Sequence, residues 1–289
     1  MSHVPSPTME LPATPGIEAL NTDQEPEVLD FLSRRPIHTV CMTSYIREHG
    51  IVSPLNRGRF YGYRHTDGGL DGVALIGHAS LLETDNEEAL RAFALIQYQR
   101  KQSHLVRGEQ EMIARFRKHY AALGSFRGRS CFEVLFEQKT APDLPGPVPA
   151  LRLAAEEDLQ TIIRINAQML LSECGVDPLR TDPLGFRERV ARRVKRGRVW
   201  VWTKGERVVF KADIFAETPQ MIYLEGINVH PEERGRGYGL RCMAQLGHTL
   251  LRQSDGLCLL VNEGKTELRR FYLKAGYEVR GLYETVYLD

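Results

Sequence analysis

The chain is 289 residues long, and at about 150 residues per domain that length suits two domains rather than one small module. Its 38 Lys and Arg nearly cancel 37 Asp and Glu, so it lacks the basic excess that a nucleic-acid backbone demands. Its 42% hydrophobic residues are spread without any run of the roughly 18 needed to cross a membrane, so neither nucleic acid nor membrane is an expected partner. Five scattered cysteines, odd in number and never in a CxxC pair, fit reduced thiols better than a disulfide framework or a zinc site, and no metal is expected. The first residues carry Pro and acidic groups where an export signal needs a basic start and an apolar core, so the expected location is cytoplasmic.

Residues 1–26 hold several prolines and few large apolar groups and read as a disordered tail. From Glu27 to Gly50 the apolar spacing predicts two short helices separated at Pro36. Arg59–Tyr63 and Leu70–Leu82, joined by the turn Thr66-Asp67-Gly68-Gly69, predict antiparallel strands. Two helices follow, over about 87–100 and 109–123. Four prolines between Thr140 and Pro149 make neither helix nor ladder, so 141–147 reads as a linker between an N-terminal α/β domain at 27–140 and a second domain at 148–289. There, a short strand at 151–153 precedes helices over 155–173 and 182–196, a hairpin 199–202/208–214 and a strand 221–229. A glycine-rich loop at 234–239, a helix 240–253, a strand 257–261, a helix 266–274 and a strand 282–288 complete it. The fold class is α/β or α+β with a mixed, partly antiparallel sheet.

The run Ile227-Asn228-Val229-His230-Pro231-Glu232-Glu233-Arg234-Gly235-Arg236-Gly237-Tyr238-Gly239-Leu240 carries the chemistry: a strand, a proline turn, a glycine loop and a helix start in succession. Gly235, Gly237 and Gly239 let main-chain N–H groups approach an anion, the helix dipole adds partial positive charge, and Arg234 and Arg236 add full charges. A lone GxG most often marks a plain tight turn, but the strand-loop-helix context favours a ligand. A dinucleotide fingerprint needs glycine where Leu240 stands, and a P-loop needs Gly-Lys-Ser/Thr, so both nucleotide readings fail.

This stretch resembles the GNAT superfamily of acetyl-CoA-dependent N-acyltransferases, whose Arg/Gln-x-x-Gly-x-Gly/Ala signature is met by Arg234, Gly237 and Gly239 after a strand. Leu259 and Val261 sit where that family has its fifth strand, and Phe271-Tyr272-Leu273-Lys274-Ala275-Gly276-Tyr277 is similar to its terminal Leu-Tyr-x-x-x-Gly-Phe/Tyr pattern. The likeness covers 148–289. Phe31-Leu32, Arg59–Tyr63, Gly175–Leu179 and Phe210-Lys211-Ala212 look like a bacterial subgroup in which such a domain follows an N-terminal domain of unassigned function. Lys265 stands where the family often has Asn. The N-terminal succession of helices, strands and helices loosely echoes the second domain, which makes it a candidate degenerate copy without a donor site.

The resemblance implies an N-acetyltransferase with acetyl-CoA as co-substrate and a small-molecule or peptide amine as acceptor. Arg234, Gly235, Arg236, Gly237, Tyr238 and Gly239 would hold the pyrophosphate, and Ile227 and Val229 would pair with the pantetheine arm. An attacking amine must be neutral, so Glu225 is the candidate base, and Tyr272 the candidate acid for the leaving thiolate. Each also has a plainer reading: Glu225 as a solvated or Arg-paired strand carboxylate, Tyr272 as a core aromatic. Glu173 and Asp177 line the expected acceptor segment but read as a solvated pair, His230 as a turn residue, Cys174 as a thiol without a supporting His, and Arg187–Arg198 as a solvated basic face. The alternative function is a coenzyme A-sensing regulatory or scaffold protein without turnover. Neither the acceptor nor the oligomeric state is legible in the chain.

Overall fold

The computed structural model describes residues 16–100, 103–124, 128–144 and 150–288, the Cys174 side chain excepted. It divides into two compact units, Met1–Phe132 with Leu282–Asp289, and Glu133–Gly281.

In the first unit, β1 (Ile17–Ala19) leads to α1 (Glu25–Ser33) and α2 (Pro36–His49), then β2 (Gly58–Arg64), β3 (Leu70–Gly77), β4 (Ala79–Glu83), α3 (Glu87–Arg100), β5 (Leu105–Glu109) and α4 (Gln110–Leu123). Pro36, whose missing N–H costs nothing in a first turn, opens α2. The sheet order is β1-β2-β3-β4-β5-β12, with β12 spanning Glu278–Leu288, and every pair is antiparallel except β4–β5. Phe60, Tyr61, Phe93 and Phe116 lie at the centre of its two apolar clusters.

The second unit begins within β6 (Gly128–Gln138) and continues through β7 (Arg152–Leu153), α5 (Leu159–Cys174), the single turn α6 (Pro178–Thr181), α7 (Pro183–Lys195), β8 (Val199–Lys204), β9 (Arg207–Glu217), β10 (Ile222–Val229), α8 (Tyr238–Leu250), β11 (Leu257–Asn262) and α9 (Thr266–Lys274). Its sheet runs β6-β11-β10-β9-β8-β7, antiparallel except for β10–β11. Strand periodicity sorts β9 between two layers. Phe210, Ala212 and Ile214 join the cluster that holds Cys242, Met243 and Leu246 of α8, while the intervening Asp213 reaches side chains of α5 and α7 and pairs with Lys211.

Both units therefore have a mixed α/β fold with the same succession and one parallel strand pair at the same place. The strand orders can be laid on one another once the sixth strands are exchanged. β6 follows α4 in sequence but ladders with β11, over Glu133–Gln138 against Leu257–Asn262. β12 follows α9 but ladders with β5, over Tyr283–Tyr287 against Leu105–Glu109.

This exchange moves the division away from the proline-rich segment. Of the expected linker 141–147, residues 145–147 lie outside the described residues, and the division falls at 132/133 and 281/282. Of the expected tail 1–26, residues 1–15 lie outside them; Ile17–Ala19 pairs with Tyr61–Tyr63, and Asn21 opens a helical turn with a capping box. Three strands go beyond the sequence reading: β1, β5 and β6. The single run Leu70–Leu82 is two strands, because Gly77 packs so close to Arg57 and Gly58 that the chain turns there.

Candidate functional site

The glycine loop does what its composition demands. Gly235 and Gly237 both have φ of +74°, the left-handed region that favours glycine, and Gly237 is the N-cap of α8. No side chain among the described residues caps that helix, so its first N–H groups remain open to a ligand. Gly239 serves packing instead: a Cβ there would lie 3.1 Å from both Phe271 and Val229. The first unit offers the opposite arrangement. The N-terminus of α3 is occupied by Asn86, whose Oδ1 accepts from the N–H groups of Glu88 and Ala89, and Asp85, Glu87 and Glu88 crowd the same turn with negative charge.

A groove of about 1490 Å³ runs past the loop in the second unit. One wall is the end of β10, Ile227–Val229, and the other includes Lys265, Phe271 and Tyr272. It opens where β10 and β11 part, because their register comprises only Ile222 with Leu257 and Tyr223 with Cys258. On its other edge β10 stays paired to β9 as far as Val229, with a bulge between Glu225 and Asn228. Gly226 stands in that bulge at φ +61°.

Beneath the bulge lies a buried ion network. Lys211, fully buried, donates from Nζ to the Gly226 carbonyl at 2.9 Å and pairs with Asp213 at 2.7 Å. Arg193 of α7 joins Asp213 at 3.1 Å and Glu225 at 2.9 Å, and Asn166 of α5 donates to Asp213 at 3.3 Å. Burial pushes the Lys211 ammonium below its ordinary value, against the pull of Asp213.

Tyr272 is 5% exposed, packed against Phe136, Phe271 and Tyr277, and lines the groove with no hydrogen-bond partner among the described residues. Burial, with the Glu173 charge adding, raises its phenol pKa above the ordinary value. Glu173, on the last turn of α5, lines the same groove. Its carboxyl pKa is raised by desolvation at the wall; Lys265 opposes the shift, and Glu225 and Glu133 add to it.

The remaining sequence candidates are placed as follows. Arg234 donates from Nε to the Val229 carbonyl at 3.0 Å, and Arg236 pairs with Glu233 at 3.1 Å. The Tyr238 phenol accepts from Lys204 at 3.0 Å and turns its ring against Trp202, leaving its backbone in the loop. Ile227 and Val229 line the groove; Glu225 is half-buried, held by Arg193, and does not. His230 donates its main-chain N–H to Val209, and Asp177 caps the single turn α6 through Leu179. The Cys174 side chain lies outside the described residues. The residues that sequence reasoning missed are Arg193, inside the supposedly solvated basic run, and the pair Lys211 and Asp213. The available signal was two charges at alternate positions of an otherwise apolar strand, Val208-Val209-Phe210-Lys211-Ala212-Asp213-Ile214, which puts both on one covered face.

Known proteins resemble this chain in fold and, over part of its length, in sequence. Residues 195–279 match the family model of the acetyltransferase (GNAT) domain. A Drosophila protein structure shares the fold at a TM-score of 0.68 and 14% identity, covering 95% of this chain and 98% of its own. A GNAT-family acetyltransferase from Colwellia psychrerythraea does so at 0.56 and 10%, covering 94% and 98%. A tandem GNAT protein from the clavulanic acid biosynthesis pathway does so at 0.56 and 14%, covering 93% and 97%. No curated protein matches by sequence. Residues 195–279 of this chain thus match the GNAT acetyltransferase domain, within a chain that shares the fold of a tandem GNAT protein.

Proposed function

We propose that the second unit transfers an acetyl group from acetyl-CoA to the amine of an acceptor. The observation that carries this reading is the uncapped N-terminus of α8, with left-handed glycines at 235 and 237, at a groove whose wall is the free edge of β10. The residues fit the donor: the N–H groups of Gly235–Gly239 would hold its pyrophosphate, Arg234 and Arg236 would add charge, and Ile227–Val229 would pair with its pantetheine arm. Bound there, acetyl-CoA supplies an acyl carbon activated by a sulfur leaving group. The chain's own groups then manage protons. Tyr272, which lines the groove and whose hydroxyl has no partner among the described residues, would give the departing sulfur its proton, and its packed ring limits where that hydroxyl can sit. The bulge at Gly226, pinned by Lys211, fixes the course of the β10 edge. Arg234 must release the Val229 carbonyl for that edge to accept a partner throughout.

Calorimetry with coenzyme A and release of free thiol from acetyl-CoA in the presence of amines test this. The wild-type chain is expected to bind and to turn over, and Gly237→Val, which forces a branched side chain into the left-handed region, to lose at least tenfold in affinity. Unchanged affinity in Gly237→Val removes the donor site. Binding without thiol release from any amine turns the reading to a coenzyme A-binding protein without turnover.

A further inference from the structure

Little packs on the glycine loop of the second unit. Residues 234–237 are exposed; a Cβ on Gly235 would have no neighbour within 4 Å among the described residues, and one on Gly237 would meet only the Arg241 guanidinium, at 3.5 Å. Glycine has the most conformations to lose, so two of them at left-handed φ need something other than packing to hold them. Side chains do so. Arg234 donates to the Val229 carbonyl, a bond that a partner on the β10 edge would displace, and Arg241 donates to the Arg236 carbonyl at a long 3.3 Å. The remaining hold comes from a different strand. Lys204, the last residue of β8, sets Nζ 3.2 Å from the Glu233 carboxylate, directly before the loop, and 3.0 Å from the Tyr238 hydroxyl, directly after it. The same ammonium lies 4.2 Å from the centroid of the Tyr238 ring, against which Trp202 packs edge-on. An isolated surface ion pair holds little, but Glu233 is only 7% exposed and takes Arg236 on the oxygen that meets Lys204, which makes this a network rather than a pair. Beside it, Arg207 of β9 takes Glu232 at 2.5 Å, so both acidic residues of the turn that enters the loop are tied to the β8–β9 hairpin.

We propose that Lys204 is a positioning residue for the donor loop: by clasping Glu233 and Tyr238 it spans the loop from end to end and keeps the intervening N–H groups in their ligand-receiving arrangement before any donor arrives. The identity of the ligand rests on the acetyl-CoA reading above; the clasp itself does not. Lys204 acts through other residues, since two of the three N–H groups of its ammonium are given to Glu233 and Tyr238. The consequence follows from populations. A donor that binds only the ordered loop has its affinity reduced by the fraction of chains in which the loop is ordered. A loop left unclasped and ordered one tenth of the time therefore raises the apparent Kd about tenfold without the loss of any contact to the donor. The β8–β9 hairpin thereby sets donor affinity from outside the loop.

The test uses the full chain. Without ligand, amide hydrogen exchange read by mass spectrometry is expected to be about tenfold faster over residues 234–238 in Lys204→Met than in the parent, and nearer the parent in Lys204→Arg, which keeps the charge. Calorimetry with coenzyme A is expected to show Kd raised about tenfold in Lys204→Met and partly restored in Lys204→Arg. Lys204 stands half-exposed at a strand end, and thermal unfolding by circular dichroism checks that each variant is folded, with Lys204→Ala in place of Lys204→Met should the latter not be. A mutant cycle separates positioning from direct contact. With Glu233→Gln and Tyr238→Phe already present the clasp has nothing to hold, so adding Lys204→Met is expected to change Kd by less than about twofold. The full tenfold effect in that background would mean that Lys204 meets the donor itself, and parental loop exchange or parental affinity in Lys204→Met would mean that the loop keeps its shape alone; each overturns the proposal while leaving the donor site standing. Absence of coenzyme A binding in the parent chain is the separate failure of the reading beneath it, and loop exchange then still decides the clasp.

Discussion

Buried charge converges on one peptide group, the carbonyl of Gly226, and its arrangement sets what each residue there can lose. Lys211 cannot reach water, so removing its charge leaves Asp213 buried with fewer partners. Lys211→Met is expected to cost about 3–5 kcal/mol in denaturant unfolding, and Lys211→Met with Asp213→Asn less, because the second change removes the uncompensated charge. An equal or larger loss in the double variant would count against the pairing. A second buried carboxylate, Glu83 at the end of β4, has its pKa raised to about 7 by burial despite its bond to Arg35. The folded state thus holds this proton more tightly than the unfolded chain, whose carboxyl titrates near 4.5. Stability from this group is full below about pH 4.5 and is lost as pH rises through about 7, by up to about 1.4 kcal/mol per pH unit. Glu83→Gln is expected to flatten that stretch of the stability profile; an unchanged slope assigns it to other groups.

At the scale of elements, the two helices that follow the parallel-paired strands differ in how their first turns are satisfied. In α3 the amides belong to Asn86, and in α8 to no side chain. Asn86→Ala is expected to cost about 1 kcal/mol in denaturant unfolding, with coenzyme A affinity in calorimetry unchanged. A change in affinity would place a ligand contact in the first unit. This contrast also explains what could be read from the chain alone. The loop Arg234–Gly239 was legible because its chemistry is local: glycine conformation, helix start and charge lie within six residues. Lys211 and Asp213 left a trace in strand periodicity, but Arg193 left none, since only packing of α7 on the sheet distinguishes it from its exposed neighbours. β5, as Leu-Val-Arg-Gly-Glu, is too short and too charged to stand out beside the two helices it separates, and it becomes a strand by having β4 and β12 to pair with.

For the whole molecule, the exchange of β6 and β12 means that the sequence cannot be cut at its proline-rich segment into self-sufficient parts. A fragment beginning at Pro145 lacks β6, which leaves one side of β11 bare, and retains a β12 whose ladder partner β5 is gone. Such a fragment is expected to lack a cooperative unfolding transition and to aggregate through the bare edge, as followed by circular dichroism and size-exclusion chromatography. Mixing it with the complementary fragment during refolding is expected to restore the transition. A cooperative, monomeric fragment on its own would show that the exchange is dispensable. The similarity to a tandem GNAT protein along nearly the full length of both chains fits a unit of fold that includes both halves. The two strand orders can be laid on one another once the exchange is allowed for, and the exchange itself was invisible in sequence because its pairing partners lie far apart.

The exchanged strand also sets a timetable for synthesis. Domains of a growing chain ordinarily condense in order, the first while the next is still being made. Here β5 waits beside an empty place until Tyr283–Tyr287 has been translated, after every element of the second unit. During that interval the ribosome holds a first half with an exposed strand edge, so the nascent chain, rather than the finished protein, is where this architecture is most in need of chaperones.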